Sequence, residues 1–203
     1  MAIIHQSDFT GTDGVDADTL TPTTGGGLTR MFGGKRLLVH SNRVYSPDSF
    51  AHYSCPNIPA AYPYSISARV RQISSGLDDG FGIVADGTSN DVAWTLRDGY
   101  VGLYIGGSLY DRYFFTFSAG TEVDIELIVN SATSVTAKSH GTARFTNVSV
   151  STLGTIDKAQ IRHEPTGGST TTGKHMDWFI VDDLASAIPI AAISSGYHVR
   201  GLR

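Results

Sequence analysis

Cysteine is nearly absent from this chain. Cys55 stands alone, so no intrachain disulfide framework exists, and no Cys/His spacing matches a zinc site. The lone thiol is expected to be a small, inert, buried residue. Runs of Lys or Arg are also missing from a chain of net charge −4, which removes the electrostatic footprint of nucleic-acid binding. No stretch reaches the about 18 apolar residues that a membrane span requires. The start, Met1 to Asp8, has no basic segment leading into an apolar one, so the chain is expected to be made in the cytoplasm without a secretory signal. Missing too are a Gly-x-Ser-x-Gly elbow, a Ser/His/Asp order and a paired metal spacing among the seven histidines. Gly25-Gly26-Gly27 and Gly33-Gly34-Lys35 lack the Ser/Thr and helix of a phosphate-binding loop. With only 17% charged residues and no amphipathic helix longer than two turns, helical architectures are excluded.

What is there is alternation. Thr121 to Asn130 places Val123, Ile125, Leu127 and Val129 on one strand face and Glu122, Asp124 and Glu126 on the other. A loop at Ser131-Ala132-Thr133 then sets Val129 opposite Val135, Leu127 opposite Ala137 and Glu126 opposite Lys138, so apolar meets apolar and acid meets base. Tyr64 to Ile73 alternates in the same way. Phe81 to Ala85, Val92 to Leu96, Tyr100 to Ile105, Phe114 to Phe117, Ala143 to Val150, Ala159 to His163 and Met176 to Val181 supply further strands. Arg97-Asp98-Gly99-Tyr100 predicts a tight hairpin turn. Arg36 to Tyr45 reads as a strand pair. Ser46 to Pro63, with prolines at 47, 56, 59 and 63, predicts a long ordered loop. Turn signals every 8 to 12 residues predict an all-β, antiparallel two-sheet jelly-roll sandwich. Residues 1–184 would form one domain, with 1–30 as an N-terminal arm and edge strand and 185–203 as a C-terminal tail.

This order of elements resembles the concanavalin A-like lectin/glucanase jelly roll, in particular its laminin-G-like branch. The carrying residues are Asp8 to Gly14, the strand Tyr64 to Val70, Asp79-Gly80-Phe81-Gly82-Ile83, the turn at Asp98-Gly99-Tyr100, the strand Gly120 to Val129 with its hairpin, and Asp177-Trp178-Phe179-Ile180-Val181-Asp182-Asp183. The likeness covers residues 8 to 184. Its fold hosts lectins, glycoside hydrolases and passive adhesion or virion modules, so the fold does not choose among them. Short jelly rolls rich in Gly, Ser and Thr also look like accessory proteins of tailed phages.

Glu122-Val123-Asp124-Ile125-Glu126 looks like the acidic strand of laminarinase-like glucanases. That resemblance implies Glu122 as nucleophile, Glu126 as acid/base and Asp124 as the group that tunes them, with carboxyls two strand repeats apart taken to suit a retaining pair. Against it stand the apolar run after Glu126, the facing Lys138 and the lack of a nearby Trp in the stretch, so the row reads first as the wet side of a strand. Trp94, Tyr110, Tyr113 and Arg97 are candidates for a glycan platform, with Tyr110 and Tyr113 expected in a loop. Strict alternation of Val92, Trp94 and Leu96 makes a core position the competing reading for Trp94. Asp78, Asp79 and Asp86 are candidates for a calcium site, which laminin-G-like modules carry at the sandwich rim; no other cofactor is expected.

The tail from Ala185 is apolar, broken by Pro189, and too short to span a membrane; Ile188, Pro189, Ile190 and Ile193 are expected to dock on a neighbouring subunit. The leading expectation is a non-catalytic structural or interaction module, namely a phage virion component such as a capsid decoration or tail-associated protein, whose partners are other virion proteins or copies of itself. A lectin-like binder of surface polysaccharide and a laminarinase-like hydrolase are the alternatives.

Overall fold

The computed structural model describes residues 2–31, 34–56, 58–59, 61–74, 79–116, 118–150 and 156–185. Fifteen strands follow one another: β1 (Ala2–Ser7), β2 (Thr29–Arg30), β3 (Leu38–Val39), β4 (Val44–Tyr45), β5 (Ala51–Cys55), β6 (Tyr64–Gln72), β7 (Asp79–Gly87), β8 (Asp91–Arg97), β9 (Tyr100–Ile105), β10 (Ser108–Phe114), β11 (Glu122–Ser131), β12 (Ser134–Ser139), β13 (Thr142–Ser149), β14 (Ile156–Pro165) and β15 (Lys174–Asp183). An eight-stranded sheet runs β13-β12-β11-β6-β15-β4-β3, with β1 also on β15. A seven-stranded sheet runs β10-β9-β8-β7-β14-β5-β2, and every pairing is antiparallel. The expected two-sheet sandwich is what the chain forms.

The core is built from the alternation read in the sequence. Val123, Ile125, Leu127 and Val129 are buried, and they face Ile66, Ala68 and Val70 on β6 in register. On β12, Val135 and Ala137 pair with Val129 and Leu127, and Lys138 with Glu126, as expected. The seven-stranded sheet adds Phe81, Ile83, Val92, Trp94, Leu96, Val101 and Leu103 from its inner face, so one contiguous cluster fills the space between the layers. Cys55 is buried in this cluster as a free thiol.

Three expectations are corrected. Ser46 to Pro63 is not loop throughout, because Ala51–Cys55 is a strand hydrogen-bonded between β14 and β2. Its prolines flank that pentapeptide without interrupting it, and Ala51, Tyr53 and Cys55 turn into the core. Phe114 to Phe117 is not a separate strand: the chain pairs earlier, as β10, and Phe117 lies outside the described residues. Tyr110 and Tyr113 therefore sit on an edge strand, not in a loop. The reason is Gly106-Gly107, whose φ values of +59° and +73° form a two-residue hairpin turn joining Ile105 to Ser108.

At one end the sheets are tied by buried charge. Lys174 of β15 places its Nζ 2.5 Å from Asp79 Oδ1 on β7, and both side chains are fully buried. The same Nζ lies 2.8 Å from Asp98 Oδ1 at the β8–β9 turn, the Lys174 backbone N–H donates to Asp79 Oδ2 at 2.8 Å, and His163 Nε2 lies 3.4 Å from that oxygen. A lysine from one sheet is thus neutralised by two carboxylates from the other.

Candidate functional site

The acidic row occupies the outer face of the eight-stranded sheet. Asp124 is gripped in two-pronged fashion by Arg69, Nε to Oδ1 at 2.6 Å and Nη2 to Oδ2 at 3.0 Å. Glu122 lies 3.6 Å from Arg71 Nη1 and 3.8 Å from Arg69 Nη1, toward β6. Glu126 goes the other way, to Lys138 Nζ on β12 at 3.1 Å. Glu122, Asp124 and Glu126 thus form an ion-pair ladder, with Glu122 paired toward β6 and Glu126 toward β12. A tryptophan is nearby after all, since Trp178 of β15 stacks on Arg69, whose Cζ is 5.8 Å from the ring centroid.

Of the proposed calcium set, Asp79 and Asp86 do not come together. Asp78 lies outside the described residues. Asp79 points inward to Lys174, whereas Asp86, seven residues along the same strand, points outward and accepts from Gln160 Nε2 at 2.5 Å. An odd spacing on one strand puts the two aspartates on opposite faces.

The seven-stranded sheet carries a different kind of outer face. Opposing positions there read Arg162, Gly82, Thr95 and Gly102 across β14, β7, β8 and β9, with Glu164, Gly80, Arg97 and Tyr100 in the next row. Two of these rows' β7 members are glycines at alternate positions. A Cβ on Gly82 would stand 2.4 Å from Trp94 O and 2.6 Å from Thr95 Cα, so no larger residue fits there. Arg97 folds its guanidinium over Gly80, 3.2 Å from where a Cβ would be. Between these side chains a pocket of about 170 Å³ opens, with Ala93 and Thr95 at its base and Phe50, Arg97, Tyr104, Arg162 and Glu164 around it. Ala93 and Thr95 are buried although they face away from the core, which marks the surface as a cleft.

Beside the pocket, Tyr100 and Tyr104 lie across Gly102, their rings 3.0 and 2.7 Å from a Cβ built there and their hydroxyls 3.2 Å apart. Arg97 stacks over Tyr104 at 5.4 Å. Burial, and then the hydrogen bond with Tyr100, push the Tyr104 phenol up to about 12, so it is neutral and able to donate. Arg162 is held by Asp91 and lies 3.8 Å from Glu164 Oε1.

Of the sequence-predicted glycan residues, Arg97 lines this pocket. Tyr110 is the bulged residue of β10, 57% exposed, and Tyr113 lies on the same strand. Trp94 is corrected: it faces inward, is fully buried, donates its Nε1–H to Lys138 O at 2.6 Å and meets Phe145 edge-on. Ile188, Pro189, Ile190 and Ile193 lie outside the described residues. Sequence reading missed Phe50, Arg162 and Glu164, which come from β14 and the turn before β5; the paired glycines of Gly80-Phe81-Gly82 were the available signal for a cleft.

Two buried histidines set a pH response. Burial brings His52 from 6.5 to about 4, with the Arg162 charge adding to the fall. His175 also falls to about 4, through burial first, against the hydrogen bond to Ser169 O and with the Arg43 charge. The unfolded chain takes up a proton at each below about pH 6.5, while the native protein resists until about pH 4. Stability should therefore drop on acidification across that window, by about 1.4 kcal/mol per pH unit for each histidine. Urea unfolding at pH 7 and pH 5 measures it, and His175→Gln should remove one histidine's share.

No protein-family model matches the chain, and no curated protein matches it in sequence. Solved structures do. SCLam, a non-specific endo-beta-1,3(4)-glucanase from family GH16, superposes with a TM-score of 0.60 at 7% identity, over 90% of this chain and 91% of its own. The potassium-bound carbohydrate recognition domain of Emp46p gives 0.59 at 12% identity, over 77% and 88%. A GH43B protein of the Bacteroides ovatus xyloglucan locus gives 0.56 at 17% identity over 91% of this chain, which spans only 40% of that protein. The fold is therefore the concanavalin A-like jelly roll shared by lectin domains and glycoside hydrolases.

Proposed function

We propose that this protein is a non-catalytic carbohydrate-binding module whose site is the cleft on the outer face of the seven-stranded sheet. The observation that carries this reading is the pocket itself, where aromatic faces (Tyr104, Phe50), two guanidinium groups and a carboxylate converge on a floor kept low by glycine, alanine and threonine. Sugars offer an apolar ring face and a rim of hydroxyls, and such a surface meets both. That carbohydrate-recognising and carbohydrate-cleaving proteins share the fold supports it further. The diverging, ion-paired carboxylates of β11 support binding over hydrolysis.

A glycan array of bacterial and plant polysaccharides tests the proposal. Wild-type protein should retain at least one polysaccharide, and Tyr104→Ala, folded by its melting curve, should lose about tenfold in affinity for it. An array without a hit, or a Tyr104→Ala variant that binds as wild type does, would overturn the assignment. The phage-virion role rests on the likeness in style to tailed-phage accessory proteins and on the tail 185–203, of which 186–203 lies outside the described residues; a glycan-binding body is compatible with it.

A further inference from the structure

The pocket is small, so a polysaccharide continues beyond it, and what lies beyond it on β10 is the guanidinium of Arg112, next in sequence to the exposed carboxylate of Asp111. Arg112, opposite Gly102, faces outward between two aromatic rings, its Cζ 5.4 Å from the Tyr100 centroid and 4.9 Å from that of Phe114. Arg144 of β13 reaches the same edge strand, its Cζ 3.9 Å from the Tyr113 centroid and 5.4 Å from that of Phe115, with Nε donating to Ser139 Oγ at 2.7 Å.

These two differ from most of the arginines among the described residues. Arg30, Arg36, Arg43, Arg69, Arg71 and Arg162 each meet a carboxylate. Arg112 and Arg144 have no carboxylate partner among the described residues; Asp111 Oδ1 accepts the Arg112 backbone N–H and not its guanidinium. Stacking holds each guanidinium plane in place while leaving its N–H edge able to form two parallel hydrogen bonds with a carboxylate or sulfate. Every residue of β10 is exposed, including Leu109, Tyr110 and Phe114.

Resting on the glycan-binding reading, the geometry points to an acidic polysaccharide as the ligand, its chain crossing from the pocket over Tyr104 and Tyr100 to β10, where Arg112 takes its anionic groups; Arg144, on Tyr113, lies on the other face of that edge strand. From β14 to β10 is four strand spacings, about 19 Å, so the site accommodates a chain of several sugars. Neutral segments lie on the tyrosines, and the anion lies on Arg112.

The test titrates the full-length protein with polygalacturonate for carboxylate, dextran sulfate for sulfate, and laminarin and mannan as neutral chains. At least one polyanion should bind about tenfold tighter than either neutral chain, with an affinity that falls as salt is raised. Arg112→Gln should erase about tenfold of that advantage, leaving neutral binding unchanged, and Arg112→Lys should keep part of it. Arg144→Gln, on the other face of β10, should leave the preference unchanged. Carboxylate and sulfate are told apart by which polyanion responds. If neutral chains bind as tightly as the polyanions, or the preference survives Arg112→Gln, the inference is overturned while the glycan-binding reading stands. If no chain binds, both fall.

Discussion

Replacing Asp79 with alanine should destabilise the protein by about 3–5 kcal/mol, because it leaves Lys174, fully buried, without its principal counter-charge. Asp98 alone cannot substitute, since it sits 34% exposed at the β8–β9 turn. Replacing both members, Asp79→Leu with Lys174→Met, should recover most of the loss, since an apolar pair needs no compensation. Burial by itself would raise the Asp79 pKa, but the hydrogen bond with His163 and the charge of Lys174 reverse that and hold it below the ordinary carboxylate range. A carboxylate whose folded pKa is depressed stabilises fully above its unfolded value, near pH 4, and that contribution disappears as the pH falls through the folded value. Wild type should thus lose stability below about pH 4 more steeply than Asp79→Ala does, as urea midpoints between pH 5 and 2.5 would show. Equal stability of wild type and Asp79→Ala at pH 7 would mean that the cluster does not join the sheets.

The second large effect separates core from site. Trp94→Ala should cost about 3–5 kcal/mol, the loss of a fully buried indole together with its hydrogen bond to Lys138 O. Affinity of the folded fraction for glycan should not change, because the ring points away from the cleft while its neighbours Ala93 and Thr95 form the base. Trp94→Phe, less destabilised, keeps the comparison open should the alanine variant fail to fold. Loss of binding in a folded Trp94→Phe protein would return the indole to the site.

Which parts of this were legible in the sequence follows from locality. The β11–β12 hairpin was read to the register because its information is contiguous: alternation fixes the faces, and the turn length fixes the pairing. The Glu126–Lys138 pairing was read from the same register, because the hairpin sets the two side chains next to each other. By contrast the cleft draws on β5's approach, β7, β8, β9 and β14, which meet only once the seven-stranded order β10-β9-β8-β7-β14-β5-β2 is known. Part of what shapes it is the close packing of Arg97, Tyr100 and Tyr104 over Gly80 and Gly102, and a glycine in a strand reads locally as weakness or a bulge. Trp94 remained ambiguous for the opposite reason, since an indole suits a core and a sugar equally well until its face is fixed. The strand Ala51–Cys55 was hidden by prolines that flank it without entering it.

The central claim is one of location: glycan binds on the seven-stranded sheet and not along Glu122 to Glu126. Backbone amide NMR of the labelled protein, titrated with laminari- and galacturonate oligosaccharides, reports this directly. The claim predicts the largest shifts at Gly80, Gly82, Thr95, Gly102 and Tyr104, extending to Arg112 with the acidic chain. Shifts concentrated at Glu122, Asp124, Glu126 and Trp178, with the cleft silent, would contradict it.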